Sequence, residues 1–308
     1  MPTPQTLVRV YETLATTYIP RRTCLGHDGV VTTAEGAQQA TRSAARPTPT
    51  WVGTSWKMTK SRREAVAWVD VVSEALVAKP APGVMPFVLP SATALAEVSV
   101  AARGEGRPGN EPLLVGAQNA HWEEQGSWTG ELAVSQVADA GARLVEVGHS
   151  ERRVNFGETD AIVRLKVAAV LRHGLVPILC VGEPAQVREA GRHREHVTRQ
   201  VDLALEGLGD TSSVLVAYEP VWAIGDRGRE ARPEQVAPVV EAVMERWHGH
   251  VAAILYGGSV NEGNAAALLE VHGVDGLFAG RSAWAPAGFL RLVDIAATVH
   301  QARGSSTA

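Results

Sequence analysis

The chain has 308 residues, 45% of them hydrophobic and 20% charged, with a formal net charge of −4. This suits a globular domain with a sizeable core, and the mild acidity excludes a general electrostatic pull toward nucleic acid or an anionic membrane. Two cysteines, Cys24 and Cys180, make no disulfide framework and fit a reducing cytoplasm, and neither a long apolar span nor a cationic start with an apolar block suggests a membrane or secretory address.

Residues 1–49 carry scattered Thr, Ala, Arg and Gln without a sustained period and finish in Arg-Pro-Thr-Pro-Thr, an extended linker. They are expected to form a poorly ordered N-terminal extension with a short helix over Leu7–Thr16. A targeting role, or a start codon upstream of the real gene, are the alternatives. From residue 50 to residue 304 short apolar runs alternate with segments of helical spacing. The runs are Trp51–Trp56, Val84–Leu89, Leu113–Ala117, Leu144–Val147, Val176–Val181, Val214–Tyr218, Ala253–Tyr256 and Val274–Ala279. Helices are expected near 61–79, 92–102, 133–140, 159–173, 185–206, 233–248, 262–271 and 286–302. Eight strand-then-helix units in about 250 residues place the chain in the α/β class as a closed parallel (β/α)8 barrel. An open doubly wound sheet would want a glycine-rich fingerprint after its first strand, which Gly53 does not supply.

In a parallel barrel the C-terminal ends of the strands face the active-site mouth. Those ends carry Lys57, Gln118-Asn119, His149, Glu183, Glu219, Tyr256-Gly-Gly-Ser259 and Gly280-Arg281. A lone lysine at a strand end is ordinarily a solvated charge, and a lone histidine after a glycine ordinarily a turn residue. Glu219 lies inside Ala-Tyr-Glu-Pro-Val-Trp, where apolar neighbours imply burial and buried carboxylates need partners. All three at equivalent strand ends point to chemistry. A carboxylate against apolar walls can move a carbon-bound proton at neutral pH, while an imidazole and an ammonium stabilise the enediolate that results. The turns Tyr256-Gly-Gly-Ser259 and Gly280-Arg281-Ser282 offer backbone N–H groups to a phosphate. Trp222-Ala-Ile-Gly225-Asp-Arg-Gly228 reads either as a moving lid or as an ordinary loop.

Gly-Thr-Ser-Trp-Lys-Met at 53–58, Gly-Ala-Gln-Asn at 116–119, Gly-His-Ser-Glu-Arg-Arg at 148–153, Cys-Val-Gly-Glu at 180–183, Ala-Tyr-Glu-Pro-Val-Trp-Ala-Ile-Gly at 217–225 and Tyr-Gly-Gly-Ser-Val at 256–260 together resemble the triosephosphate isomerase family. The resemblance runs from about Trp51 to about Ala302. It implies an isomerase of small phosphosugars that needs no metal or organic cofactor. Glu219 would be the base and His149 the neutral electrophile, a pairing borrowed from what is established for this family, with Lys57 supplying positive charge. Gly225, Ser259 and Gly280 match phosphate-holding positions, and residues 222–231, beginning Trp222, Ala223, Ile224 and Gly225, match a closing lid. Loop 116–131, with Gln118, Asn119 and Thr129, is similar to the loop that enters a neighbouring subunit, so a homodimer is implied.

Three departures stand out: Ser55 replaces the family's asparagine, Arg281 replaces the second phosphate glycine, and the lid is one residue longer at Asp226-Arg227. Gly-Thr-Ser-Trp-Lys-Met at 53–58, Asn119-Ala-His-Trp122 and Gly280-Arg-Ser-Ala-Trp284 together resemble a subgroup assigned to erythritol-type breakdown that interconverts L-erythrulose 1-phosphate and D-erythrulose 4-phosphate. Serine leaves room for another hydroxylated carbon beside the reacting ones. Arg281 either adds charge near the phosphate or forms an outward salt bridge. The three-carbon pair, dihydroxyacetone phosphate and glyceraldehyde 3-phosphate, is the alternative substrate. A catalytically inactive binding barrel is opposed by the intact Lys57, His149 and Glu219. A metal-dependent aldolase or epimerase finds no ligand-spaced cluster in the sequence.

Overall fold

The computed structural model describes residues 48–103, 112–225 and 228–306. The expected helix over Leu7–Thr16, the rest of segment 1–47 and the lid residues Asp226-Arg227 lie outside the described residues. The parallel strands close a barrel in strict sequence order: β1 (Thr50–Ser55), β2 (Val84–Leu89), β3 (Leu114–Ala117), β4 (Leu144–Val147), β5 (Val176–Val181), β6 (Leu215–Tyr218), β7 (Ala253–Tyr256) and β8 (Gly276–Ala279), with β8 pairing back onto β1. This confirms the (β/α)8 expectation, with strand ends within two residues of those read from the sequence.

The helices follow as α1 (Arg62–Ala78), α2 (Leu95–Arg103), α3 (Val134–Asp139), α4 (Ser150–Phe156), α5 (Asp160–Arg172), α6 (Ala185–Glu189), α7 (His193–Leu205), α8 (Pro233–Trp247), α9 (Ala265–Leu269) and α10 (Pro286–Ser306). α1 starts on a reciprocal cap, in which Ser61 Oγ accepts from the Glu64 amide and the Glu64 carboxylate accepts from the Ser61 amide. It buries Ala65, Trp68, Val69, Val72 and Leu76 at helical spacing. Three expectations need correction. The single helix over 185–206 is two, broken at Gly191, which sits in the left-handed region at φ 70°. The helix over 262–271 shrinks to α9, because Asn261 and Asn264 spend their side-chain oxygens on nearby amides in a tight turn. The short α4, capped by His149, was not anticipated.

Strand alternation sorts side chains between the barrel interior and the helix layer. Register pairs Gly53 with Phe87 and with Phe278, Leu144 with Val176, and Leu215 with Ala253. These residues face inward, where Phe87, Leu89, Leu144, Ile178, Leu215, Leu255 and Phe278 form a packed core within the barrel. The other face of the same strands, Val52, Val88, Val145, Val147 and Val216 among them, packs with the helices in a second apolar layer. Gly53 has a steric reason: a Cβ there would fall 1.9 Å from the Phe87 ring. Gly53→Ala is therefore expected to destabilise the fold by about 1–3 kcal/mol, measured as a lower urea midpoint. Adding Phe87→Leu should restore part of the loss, and an unchanged midpoint for the single variant would show that Phe87 does not fill the barrel at this level.

Candidate active site

The same alternation carries functional groups to the C-terminal mouth. Ser55 continues the inward series Trp51, Gly53; Glu146 continues from Leu144; and Glu219 continues from Leu215 and Ala217. They line a cavity of about 320 Å³ together with Lys57 and His149. Ser55, Glu146, His149 and Glu219 are all buried.

His149 sits between β4 and α4, and its Nδ1 accepts from the Glu151 backbone N–H at 3.1 Å. That bond requires a lone pair on Nδ1, so the proton of the neutral ring is on Nε2, which lies 3.6 Å from Glu219 Oε2. Burial lowers the histidine to about 4, assisted by the charge of Lys57. A neutral imidazole with Nε2–H facing the pocket is a hydrogen-bond donor to an oxygen that gains charge. The loop bearing it is pinned: Arg153 donates to the Gly148 carbonyl at 2.7 Å and pairs with Asp160, while Glu158 is paired with both Arg152 and buried Lys166.

Glu219 follows β6, its amide held by the Val181 carbonyl at 2.7 Å. Two glycines make room for it: a Cβ on Gly182 would lie 1.8 Å from the Glu219 carbonyl oxygen, and one on Gly257 would lie 2.7 Å from Glu219 Cγ. Among the described residues its Oε2 is buried without a hydrogen-bond partner. Burial holds its pKa well above the usual carboxylate value; the neighbouring charge of Glu146 adds to this and Lys57 opposes it. The group is thus a strong base once ionised. Lys57 occupies the left-handed region at φ 53° and pairs with Glu151 at 2.6 Å.

Glu183 lies apart from the cavity. It is fully buried and accepts from Trp222 Nε1 at 2.7 Å, Arg188 at 2.8 Å and Tyr218 Oη at 3.3 Å, which fixes the start of the segment expected as a lid. Farther along that segment, Ser259 Oγ donates to the Ala223 carbonyl at 2.5 Å and Arg281 donates to the Gly225 carbonyl at 2.9 Å. Gly225, Ser259, Gly280 and Arg281 line the cavity with Ile224. Arg281 thus turns toward the lid and the pocket. Gln118 and Asn119, expected in a subunit-contact loop, also have partners within the chain: Gln118 donates to the carbonyls of Lys57 and Leu89, and Asn119 accepts from Lys166. Thr129 is exposed.

Reading only the strand ends missed several cavity residues, Trp284 and Glu146 the most consequential among them. Trp284 donates from Nε1 to the Ser55 carbonyl at 3.0 Å and helps close the mouth. Glu146 accepts from Ser55 Oγ at 3.0 Å and lies 3.9 Å from Cys180 Sγ. Its signal was available as a single charge inside the run Leu-Val-Glu-Val, in phase with an inward leucine. The fold also assembles what sequence spacing did not display: donor atoms of Glu146, His149 and Glu219 lie within 4.8 Å of one another, close enough to hold a metal ion. Their environment favours proton transfer, because both carboxyl groups are held toward the protonated form and the ring keeps one nitrogen occupied by a backbone N–H.

Burial raises Glu146 from 4.5 to about 7, partly opposed by the Ser55 hydrogen bond. A raised carboxylate favours the fold below the unfolded value, and that contribution is lost as pH rises through the folded one. The depressed His149 runs the other way, stabilising above about 6.5 and losing its contribution as pH falls through about 4. Glu146→Gln removes the first effect and, with it, the repulsion that ionised Glu146 exerts on Glu219, which acts in the same direction. Its unfolding free energy relative to the parent should therefore grow, by on the order of 1–3 kcal/mol, as pH rises from 4.5 to 7. Denaturant melts at several pH values would show this, and a flat difference would mean that Glu146 titrates as a solvated group.

Comparison with known proteins places this geometry among relatives. The family profile described as triosephosphate isomerase matches residues 50–296. The L-erythrulose-1-phosphate isomerase of Mycolicibacterium smegmatis is 47% identical over 255 residues, covering 82% of this chain and 95% of that protein. The proteins of the same name from Mesorhizobium japonicum and Brucella abortus are 43% and 41% identical, covering 79% and 82% of this chain and 95% and 98% of theirs. The crystal structure of triosephosphate isomerase from Bartonella henselae superposes with a TM-score of 0.70 at 30% identity, over 80% of this chain and 98% of that one.

Proposed function

The chain belongs to the triosephosphate isomerase family and is a sugar-phosphate isomerase, and from that premise we propose that it interconverts L-erythrulose 1-phosphate and D-erythrulose 4-phosphate. The observation that carries the substrate is its 41–47% identity to relatives bearing that activity's name, against 30% to the Bartonella triosephosphate isomerase. Ser55 in the cavity wall, smaller than the family's asparagine, supports it.

In this reading the phosphate lies on the backbone N–H groups of Gly225, Ser259 and Gly280, with the lid over it. The carbonyl oxygen lies within reach of His149 Nε2–H and Lys57 Nζ. Ionised Glu219 takes the proton from the adjacent hydroxyl-bearing carbon; the C–H electrons form the carbon–carbon double bond and the carbonyl oxygen becomes the enediolate oxygen. His149 hydrogen-bonds that oxygen and mediates proton exchange between the two oxygens. Glu219 returns its proton to the former carbonyl carbon, and the carbonyl re-forms on its neighbour. The electrons and the proton stay within the sugar and Glu219, so neither metal nor organic cofactor is needed. A homodimer joined through loop 116–131, where Trp128 is exposed, and a cytoplasmic place in polyol breakdown belong to the same reading. No helix among the described residues is long and apolar enough to cross a membrane.

kcat/KM measured side by side in chelator should favour L-erythrulose 1-phosphate over glyceraldehyde 3-phosphate. A preference for the three-carbon sugar would move the enzyme to the alternative substrate, and loss of activity in chelator would bring the Glu146, His149 and Glu219 cluster forward as a metal site. Glu219→Asp withdraws the base by about one methylene, and displacements near 1 Å cost on the order of 100-fold or more in rate. kcat should fall by that factor with KM little changed; unchanged kcat would remove Glu219 from its role.

A further inference from the structure

Resting on the four-carbon reading, we infer that Glu146, with Ser55, is the specificity determinant that receives the terminal hydroxymethyl group by which the four-carbon sugar exceeds the three-carbon one.

The argument begins with topology. β1 and β4 are not neighbours in the closed sheet; two strands separate them. The 3.0 Å bond from Ser55 Oγ to Glu146 Oε2 therefore reaches across the barrel interior rather than along its wall. The two side chains form a polar floor beneath the mouth, in register with Leu89 and Ile178 and one inward position above Gly53 and Leu144 on their own strands. The phosphate-seating groups come from the loops after β6, β7 and β8. Glu219 and His149 have facing atoms 3.6 Å apart, and Glu146 adjoins both, the donor atoms of the three lying within 4.8 Å of one another. A sugar anchored by its phosphate on the late-strand loops, with its reacting carbons at Glu219 and His149, directs the remaining carbon toward the floor formed from β1 and β4.

The substrate's chemistry fits that direction. In L-erythrulose 1-phosphate the phosphate-bearing carbon adjoins one end of the reacting pair and the hydroxymethyl carbon adjoins the other. A hydroxyl there can donate to one carboxyl oxygen and accept from a hydroxyl or protonated carboxyl, the groups this floor supplies. A three-carbon sugar places only hydrogen at that point and leaves the floor unmatched, and buried polar groups left unpaired weigh heavily against the analogue.

Glu146 also lacks a structural reason to be a carboxyl. It is 3% exposed, its strand neighbours Leu144, Val145 and Val147 are buried hydrophobes, and among the described residues no cation pairs with it. Its remaining contact, Cys180 Sγ at 3.9 Å, is a weak donor. Burial that leaves the carboxyl near neutrality, about 7, lets it both donate and accept at working pH. The unpartnered Oε2 of buried Glu219 in the same pocket marks a second polar position that a ligand completes.

The test is the ratio of kcat/KM for L-erythrulose 1-phosphate to that for glyceraldehyde 3-phosphate, in the parent enzyme and in Glu146→Val, Glu146→Gln and Ser55→Ala. We expect Glu146→Val to lower the ratio about 100-fold, Ser55→Ala about 10-fold, and Glu146→Gln, whose amide still donates and accepts, to keep most of it. A purely structural Glu146 would reduce both activities together and leave the ratio where it was; that result in an enzyme whose parent prefers the four-carbon sugar overturns the inference and spares the proposed function. A parent enzyme that prefers the three-carbon sugar overturns both. If Glu146→Val shows no cooperative thermal transition, the near-isosteric Glu146→Met takes its place: a ratio lowered about 100-fold supports the inference, and an unchanged ratio overturns it.

Discussion

The pocket depends on one geometric constraint, the two-residue alternation of side chains along strands locked into a closed barrel. Because β8 pairs back onto β1, no strand is free to slide without breaking the register of both neighbours. Parity is therefore shared all round: Gly53 is level with Phe87 and Phe278, Gly116 with Leu144, Glu146 with Ile178, and Cys180 with Ala217. A slip of one residue in β4 would turn Glu146 into the helix layer and bring Val147 inside. The interior packing of Phe87, Leu144 and Phe278 sets how high in the barrel the polar layer begins, so the core and the site share one arrangement.

That polar layer is electrostatically demanding. Two buried carboxyl groups face one neutral imidazole, and the nearest cation, Lys57, is already paired with Glu151 at 2.6 Å. Coulomb repulsion between Glu146 and Glu219 and the desolvation of each favour protons in the pocket, while Lys57 favours their loss. The balance suits an enzyme whose base must hold a carbon-derived proton briefly and return it. It also accounts for the histidine: a charged imidazolium would relieve the repulsion, yet burial and the backbone N–H on Nδ1 keep the ring neutral. Its Nε2–H remains available to the substrate oxygen rather than being lost to Glu219.

The strands were legible because each is a short apolar run bounded by polar or glycine-rich segments, and parallel strands buried on both faces have that appearance. Lys57, His149 and Glu219 were legible because the barrel mouth collects residues directly after the strands. What escaped notice lay inside elements rather than at their ends. Glu146 is the third residue of a four-residue strand, and its meaning depends on β1 lying across the barrel from β4. Trp284 follows β8 in sequence, but its role appears only when its indole reaches the Ser55 carbonyl, 229 residues away. The break at Gly191 was readable in principle, since a glycine between two helical stretches invites a left-handed turn. The short α4 was hidden inside a motif whose residues drew attention for chemistry instead of for helix formation.

The segment after β6 is tied to the neighbouring loops of the cavity. Trp222 is tied to buried Glu183, Ala223 to Ser259 and Gly225 to Arg281. Two of these partners, Ser259 and Arg281, come from the loops after β7 and β8, where the proposed phosphate seat lies. Under the proposed function, a phosphate bound there would order the same loops that hold this segment, so binding energy from the non-reacting end of the sugar would be coupled to closure over the reacting end. Such closure would remove water from a pocket that already contains two carboxyl groups, raising the proton affinity of Glu219 further and strengthening the pull of His149 and Lys57 on an oxyanion in the proposed reaction. The Arg281 guanidinium, placed on the Gly225 carbonyl, ties a positive group on the loop after β8 to the segment after β6, and in the proposed reaction it would contribute through that coupling.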